Sequence, residues 1–332
     1  MRSLFILCFS LLVGCSPPSG PDQITVRGEA FGTTYGVKYF GKGKEAFRVQ
    51  RGIDSVVLAV NKSMSTYIRT SDISKINRGD SSVVVDDMFL EVFMLSRKLN
   101  KASKHYFDPT VGVLRNAYGF GDTNAIQTMD QATLDSLRQY VGWHKVNLKK
   151  DRTITKEHPE IYFDFNAIAK GYGIDRIAVY LETIGKANYL IEVGGEVRAQ
   201  GKNIVADKFW RVGIEGVDSA IDNRSAIASV TLKNASMAGS GNYRKYRIDE
   251  HTSKKYVHTI NPLTGAAEQI DILSAHVIAP TCAEADAWAT AFMTMGVDKS
   301  KEVLVKQKDI EAYLTYDGGT YVTAGFKKMI NK

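Results

Sequence analysis

The segment best suited to binding an anion runs from Asp164 to Gly173, with the sequence DFNAIAKGYG. An alternating apolar stretch precedes it, so we expect a strand that ends at Phe165 and a helix from Ala167, capped by Asn166. A helix N-terminus offers unpaired N–H groups and the positive end of the helix dipole, which suit a phosphate. Lys170 lies in the first turn, where a cation is unfavourable unless an anion is near. The segment is therefore either a phosphate site or a buried joint with a surface lysine.

A second polar pair lies on an alanine-rich helix near the C-terminus. Asp286 and Thr290 are four residues apart, so they share one face of a helix. A carboxylate and a hydroxyl on an apolar face are costly unless they are paired, and both are hard oxygen ligands of the kind that Mg²⁺ takes. Two interpretations stay open. Either the pair binds a divalent cation, or Thr290 bonds to its own helix while Asp286 pairs with a lysine.

One histidine precedes a Pro-Gly turn in the segment Tyr256–Gly265, YVHTINPLTG. His258 would lie at the end of a short strand, where functional side chains are common, although a lone histidine is more often structural. Two similar polar-aromatic junctions occur at Tyr106–Gly112 and Met64–Tyr67.

The elements around these segments mix strands and helices without the strict β-α-β alternation of a doubly wound sheet. Apolar residues at helical spacing predict helices over Phe47–Met64, Asp72–Ile76, Asp86–Leu99, Asp130–Tyr140, Ala167–Ile184, Thr281–Met295 and Ser300–Gln307. Alternating or short apolar runs predict strands over Ile24–Ala30, Tyr35–Phe40, Val146–Leu148, Thr153–Thr155, Ile161–Phe165, Tyr189–Val193, Glu196–Gly201, Trp210–Ile214, Ala226–Leu232 and Ala275–Ala279. Glycine-rich turns are predicted at 194–196 and 238–241, and neither matches a P-loop or a dinucleotide-binding fingerprint. The predicted fold class is therefore α+β.

Length and composition are those of an ordinary globular protein. The chain has 332 residues, of which 44% are apolar and 24% charged, so a large core needs no disulfides. Three cysteines allow at most one disulfide, which excludes a disulfide scaffold. The net charge is +7 and is spread along the chain. The densest basic cluster, Arg244–Arg247, is better explained as a solvated strand edge than as a nucleic-acid site, so we expect no nucleic-acid partner.

The first residues predict export and a lipid anchor. The apolar run Leu4–Val13 follows a positive start and, as a helix, would reach about 15 Å, half of a bilayer core. Leu-Leu-Val-Gly before Cys15 resembles the lipobox of bacterial lipoproteins, with a plain signal peptide as the alternative. We expect residues 1–14 to be a signal peptide, 15–23 a lipidated tether and 24–332 the folded domain. The protein would then be anchored on the periplasmic side of a bacterial membrane, the inner rather than the outer.

Five ordered motifs together resemble one protein family. They are FDPTVG at 107–112, DFNAIAKGY at 164–172, VGGEV at 193–197, HTINPLTG at 258–265 and EADAWATAFMTMG at 284–296. The set looks like the ApbE family, whose members are FAD:protein FMN transferases and typically exported lipoproteins. The resemblance covers nearly the whole mature chain, from Gly32 to about Tyr321, and the lipobox agrees with it independently.

The resemblance implies a two-lobed α+β fold with FAD in a cleft between the lobes and Mg²⁺ on its pyrophosphate. By motif position, the metal ligands would be the side chains of Asp286 and Thr290 and the backbone carbonyl of Ala167. The flavin site would be lined by Tyr35, Tyr67, Phe107, Asp108, Asp164, Lys170, His258 and Ile260. Tyr35 departs from the family pattern, which has a flavin-contacting methionine there, although an aromatic ring can still stack on a flavin.

The reaction implied by the resemblance moves FMN from FAD to a threonine hydroxyl of an acceptor protein and releases AMP. Histidine is the side chain type that ordinarily titrates near neutral pH, so His258 is the candidate base, with Asp164 as the alternative. In the family the acceptor is usually a subunit of a sodium-pumping NADH:quinone reductase or a related redox complex. Three rivals remain: an FAD pyrophosphatase, a non-catalytic FAD-binding lipoprotein and a structural lipoprotein. The Asp286–Thr290 pair argues against the last two.

Overall fold

A computed structural model describes residues 21–123, 125–126, 129–216, 226–242, 246–248 and 253–331. The helices are α1 (Ala46–Met64), α2 (Asp72–Asn77), α3 (Asp87–Ala102), α4 (Gly112–Ala117), α5 (Gln131–Arg138), α6 (Ala169–Thr183), α7 (Cys282–Met295), α8 (Val297–Lys306) and α9 (Ala324–Met329). The strands are β1 (Asp22–Ala30), β2 (Thr33–Gly41), β3 (Val146–Leu148), β4 (Ile154–Lys156), β5 (Tyr189–Val193), β6 (Glu196–Gln200), β7 (Lys202–Asn203), β8 (Lys208–Glu215), β9 (Ala226–Leu232), β10 (Ala235–Gly241), β11 (Tyr246–Ile248), β12 (Lys255–Val257), β13 (Ile272–Ala279), β14 (Glu311–Tyr316), β15 (Gly319–Val322) and β16 (Ile330–Asn331).

A large antiparallel sheet organises the molecule. Its eight strands lie in the order β1-β2-β5-β6-β10-β13-β14-β15, and every neighbouring pair is antiparallel. Antiparallel pairing needs no helical crossover between neighbouring strands, which is why helices and strands do not alternate strictly along the chain. The predicted α+β class is confirmed, whereas the division into two lobes with a cleft stays a prediction.

Helices α1, α6 and α7 cover one face of this sheet. Val37 and Ile191 share a buried cluster with Ile53 of α1 and Ile177 of α6, and the sheet residues Ala238, Ala275 and Val277 share another with α7. Side chains alternate between the two faces of a strand, so every second residue of these strands contributes to this helix-covered core. Helix α7 is buried on almost all sides, because its many alanines let α6 and the sheet approach closely.

The opposite face of the large sheet carries a second, smaller sheet. Its strands lie in the order β16-β9-β8-β7, and Trp210 and Leu232 pack there against Val197, Met237 and Ile278. A half-open cavity of about 590 Å³ is lined by residues of both sheets. None of the sequence-predicted site residues lines this cavity.

The strand predicted over Ile161–Phe165 is not present. Ile161, Phe163 and Phe165 are all buried, but only one isolated bridge, between Tyr162 and Val111, forms in this segment. The backbone of Phe163 bonds instead to the side chain of Asn77, which donates to its carbonyl and accepts from its amide. A side chain can replace a neighbouring strand in satisfying the hydrogen bonds of a buried backbone. The alternating apolar residues of this segment therefore indicate that it is buried, but not that it pairs with another strand.

The glycine-rich turn predicted at 238–241 is also wrong, because these residues belong to β10 in the middle of the large sheet. The other predicted turn, at 194–196, is confirmed between β5 and β6: Gly194 and Gly195 have φ values of 56° and 93°. Side chains are strained at such positive φ values. Glycine therefore marks a turn at 194–195 and a close strand packing at Gly239, where an added Cβ would lie 2.8 Å from the ring of His276.

The N-terminal predictions lie mostly outside the described residues. These include Cys15, the signal peptide and most of the tether, as well as Arg244 and Lys245 of the basic cluster. The folded domain begins slightly earlier than predicted, since Asp22 and Gln23 already pair with β2. Among the described helices, none is both long enough and apolar enough to cross a bilayer.

Candidate functional site

The segment with the predicted anion site leads into the start of α6. The helix begins at Ala169, two residues later than predicted, and no side chain caps its first turn. Asn166 is therefore not the cap: its backbone and side-chain N–H groups both donate to Asp164 Oδ1, at 2.8 and 2.5 Å. This bond folds residues 164–168 into a tight turn that carries the Ala167 carbonyl just ahead of the helix.

Lys170 does have anions beside it, and they belong to the protein. Its ammonium lies 3.0 Å from Glu196 Oε1, which comes from the first position of β6. Asp286 of α7 lies in the same cluster, where its Oδ2 accepts a hydrogen bond from the backbone N–H of Gly171 at 3.2 Å. The charge of Glu196, with a smaller contribution from Asp286, raises the pKa of Lys170, although burial acts against it. Lys170 is therefore held firmly in its charged form.

The two carboxyl groups of this cluster are almost completely buried. Glu196 is 2% exposed and Asp286 is 7% exposed. Burial raises the pKa of both groups, and the neighbouring Asp286 raises that of Glu196 further, while Lys170 lowers both. If both carboxyl groups were ionised, they would carry one more negative charge than Lys170 can balance. Either a proton held by Glu196 or a bound cation would remove this excess.

The residues present fit a hard divalent cation. Glu196 Oε2 is buried without a hydrogen-bond partner, and within the described part of the chain the hydroxyl of the half-buried Thr290 makes no hydrogen bond, so it does not bond to its own helix. Unsatisfied carboxylate and hydroxyl oxygens are the ligands that Mg²⁺ prefers. The described residues contain no group of three His, Cys, Asp or Glu side chains that could hold a metal ion, so the ligand set would have to include hydroxyl or backbone oxygens.

A second charged pair lies beside this cluster in sequence. Asp164 Oδ2 accepts a hydrogen bond from Arg115 of α4 at 2.6 Å, and both side chains are largely buried. The other terminal nitrogen of Arg115 donates to the hydroxyl of Tyr67 at 3.0 Å, while the Tyr67 side chain stays largely exposed. Arg115 thus joins two residues that the family resemblance assigns to the flavin site.

Asp108 and Phe107 are both buried and contact other parts of the protein. Asp108 accepts hydrogen bonds from the amide and hydroxyl of Thr110, the amide of Trp143 and the side chain of Asn100, and burial raises its pKa. Phe107 is 3% exposed inside the main core. These residues hold the junction before α4 together, and their predicted flavin contact stays a prediction.

Tyr35 offers almost no surface to a ligand in this conformation. It is 2% exposed in the core between the sheet and α1, and its hydroxyl donates to Asp54 at 3.0 Å. Burial, with the charge and hydrogen bond of Asp54, raises its pKa. A flavin contact at Tyr35 would require this side chain to move out of the core.

His258 lies at the end of a short strand, as predicted, but it does not point to the same side of a strand as Ile260. Strand β12 ends at Val257, so the two residues do not share a strand face. Ile260 is buried among Leu114, Tyr118 and other apolar side chains, and His258 is half-buried. Between them Thr259 donates a hydrogen bond to Asn242, just after β10, at 2.8 Å. This bond ties the histidine segment to the end of the large sheet.

Sequence reasoning missed two residues of the site. Glu196 was within a quoted motif, VGGEV, but was not assigned a role; the cation in the first turn of α6 could have prompted a search for its partner. Arg115 carried no signal, because a single arginine on a short helix is typical of a solvated surface.

Comparisons with known proteins agree with the motifs. The family model described as the ApbE family matches residues 31–314. A protein named FAD:protein FMN transferase from Haemophilus influenzae is 35% identical over 320 residues, which cover 92% of this chain and 91% of that protein. The solved structure named Flavin Transferase ApbE from Vibrio cholerae is 31% identical, covers 93% of this chain and 99% of its own, and has a TM-score of 0.82. A Thermotoga maritima ApbE structure, 22% identical and covering 94% and 100% of the two chains, matches the fold with a TM-score of 0.83.

Proposed function

The chain belongs to the ApbE family, and we propose that it is an FAD:protein FMN transferase that moves FMN from FAD to an acceptor protein. The observation that carries this proposal is the buried cluster of Lys170, Glu196 and Asp286 at the uncapped start of α6. A fixed cation beside helix N–H groups suits a pyrophosphate, and the unsatisfied oxygens beside it suit the metal that neutralises one.

The proposed reaction is a phosphoryl transfer. A threonine hydroxyl oxygen of the acceptor attacks the phosphorus on the FMN side of the pyrophosphate, a new P–O ester bond forms, and the P–O bond to the AMP phosphate breaks. The hydroxyl proton passes to a base, and AMP leaves with the bridging oxygen. When bound, Mg²⁺ would neutralise charge on the phosphate oxygens. It would be held by Asp286 and Thr290, with the Ala167 carbonyl.

The side chains of this chain orient and stabilise the reacting groups. Lys170 adds a fixed positive charge close to the proposed pyrophosphate position. Both oxygens of Asp164 already accept hydrogen bonds, from Arg115 on one side and Asn166 on the other, so Asp164 is poorly placed to take a proton. His258 is therefore the favoured base, and Asp164 the residue that shapes the loop.

The deciding experiment mixes the protein without its first 20 residues with FAD, Mg²⁺ and a candidate acceptor. We expect flavin fluorescence on the acceptor band in a denaturing gel, together with release of AMP. Free FMN without labelled acceptor would favour the FAD pyrophosphatase instead. If no AMP is released, with or without the acceptor, the protein only binds flavin. A subunit of a sodium-pumping NADH:quinone reductase or a related redox complex is the first acceptor to test.

The base is tested with a matched pair of histidine variants. His258→Ala should lower the saturated transfer rate by about 10²–10⁴-fold, the range for general base catalysis. His158→Ala, which removes a partly exposed histidine beside Glu157, should leave the rate unchanged. An unchanged saturated rate in His258→Ala would move the base to another group.

Export and lipid anchoring form the last part of the proposal. We infer that acylation at Cys15 holds the enzyme on the periplasmic side of the inner membrane, with residues 16–21 as a tether. Labelling with a fatty acid in growing cells should mark the natural chain and not Cys15→Ala. Equal label on both would refute the lipid anchor without affecting the proposed reaction.

A further inference from the structure

Arg115 is the only described residue that bonds to two side chains of the predicted flavin site. Its guanidinium contacts Asp164 at 2.6 Å and the Tyr67 hydroxyl at 3.0 Å. The side chains of Arg115 and Asp164 are 12% and 4% exposed. An arginine that is this buried and holds two partners in fixed directions constrains both of them.

The contact with Asp164 bears on charge. Asp164 Oδ1 accepts from the backbone of Asn166, so the carboxylate is needed to shape the turn that leads into α6. The same negative charge would repel an anionic ligand at the start of that helix. Arg115 cancels this charge without breaking the turn, because it bonds to the other oxygen.

The contact with Tyr67 bears on shape. Tyr67 is 60% exposed, and a hydrogen bond from Arg115 to its hydroxyl fixes the direction of the ring. An exposed aromatic ring that is already oriented can stack on a flat heterocycle without first losing rotational freedom. Arg115 thus connects the oriented ring of Tyr67 with the loop in which the charge of Asp164 is neutralised. A flavin nucleotide has a flat ring that suits the first and phosphates that suit the second.

We propose that Arg115 is a positioning residue of the flavin site, which neutralises Asp164 and orients Tyr67 so that the loop before α6 can accept an anionic nucleotide. This inference rests on the proposed function. It concerns the affinity for FAD rather than the chemical step, since Arg115 acts through its two neighbours.

The test measures FAD affinity by quenching of flavin fluorescence and, separately, the rate of AMP release at saturating FAD. Arg115→Met should weaken FAD binding by about tenfold or more, as expected when one partner of a buried charge pair is removed, with a smaller effect on the saturated rate. Arg115→Lys should recover part of the affinity because it restores the charge. Tyr67→Phe should show the share that depends on the tyrosine hydroxyl.

Two further variants distinguish the possible outcomes. Arg152→Met removes an exposed arginine that also lies 2.6 Å from an aspartate, Asp87, and should leave FAD affinity unchanged. The double variant Arg115→Met with Asp164→Asn removes both charges and should bind FAD better than Arg115→Met alone.

The inference is overturned if Arg115→Met binds FAD as tightly as the natural chain, or if the double variant is no better than the single one, which would mean that Arg115 does not act through Asp164. If Arg115→Met fails to fold, Arg115→Lys and Tyr67→Phe still test the charge and the tyrosine contact separately. Failure of the natural chain itself to bind FAD would instead refute the proposed function.

Discussion

Helices α6 and α7 begin side by side, and their N-termini differ in what their N–H groups bind. Each helix supplies an acid to the other: Asp175 of α6 accepts from the amides of Cys282 and Ala283, both at 2.9 Å, and Asp286 of α7 accepts from the amide of Gly171. The approach is so close that a Cβ on Gly171 would lie 2.4 Å from the carbonyl oxygen of Cys282.

The start of α7 has a side-chain cap and a neutralised acid, whereas the start of α6 has no side-chain cap. Thr281 caps α7 by accepting from the amide of Glu284, and Asp175 is neutralised by Arg198 at 2.7 Å. Helix α6 has no side-chain cap, and the two acids beside it share the single ammonium of Lys170. A helix terminus with all its partners inside the protein is structural, whereas the unsatisfied Glu196 oxygen beside the start of α6 supports the proposed metal site.

Asp286→Ala should have the largest effect, because it removes the α7 acid from the open terminus. Asp286 is a ligand of the proposed metal, and loss of such a ligand costs several kcal/mol of transition-state stabilisation, so turnover should fall on the order of 10³-fold. Binding of Mn²⁺, followed by electron paramagnetic resonance, should weaken in parallel while the circular dichroism spectrum stays unchanged. Turnover and Mn²⁺ affinity equal to those of the natural chain would show that the metal lies elsewhere.

Asp175→Ala makes the reciprocal change at the closed terminus. It leaves Arg198 and two amides of α7 without their acceptor, so we expect the free energy of unfolding to fall by about 3 kcal/mol. Urea denaturation measures this loss. FAD affinity of the folded protein should stay close to its natural value, and Asp175→Asn, which keeps an acceptor oxygen, should be milder. A loss of FAD affinity with no loss of stability would reverse the roles given to the two termini.

Glu196→Gln should change how stability depends on pH. Burial raises the pKa of Glu196 well above its ordinary value of 4.5, so the folded chain keeps a proton that the unfolded chain releases. The protonation of Glu196 therefore stabilises the folded state below pH 4.5, and this stabilisation is lost as pH rises through the folded-state pKa. The free energy of unfolding falls over this range by at most about 1.4 kcal/mol per pH unit. In metal-free buffer the variant should lose less stability than the natural chain between pH 4.5 and 7.5. Equal slopes would mean that Glu196 stays ionised.

Thr281→Ala should have the smallest effect, about 1 kcal/mol of unfolding free energy, because it removes one N-cap hydrogen bond. Thermal denaturation monitored by circular dichroism should detect it, and Thr281→Ser, which keeps the hydroxyl, should be close to neutral. Since Asp175 still accepts from two amides of α7, turnover at low temperature should not change. A large loss of turnover would indicate that the α7 terminus also takes part in the site.

Much of the fold could be predicted because helices depend on local patterns. Apolar spacing predicted α1 and α3 to within a few residues, and the predicted helix starts at Asp86 and Thr281 coincide with the residues that cap α3 and α7. Strands were less certain, because a strand exists only where a partner lies beside it. The segment 161–165 alternates without pairing, and β10 is paired on both sides although its glycines resemble a turn.

The sequence by itself determined the family motifs, the α+β class and the unusual cation in the first turn of α6. Only the tertiary structure decided which anions meet that cation, because Lys170, Glu196 and Asp286 come from three elements far apart in the chain. The same holds for Arg115, which meets Asp164 and Tyr67 through contacts 49 and 48 residues apart in sequence. The spacing of apolar residues in the sequence indicates which face of its own helix or strand a side chain lies on. The charge balance of a buried site depends instead on which helices and strands pack together.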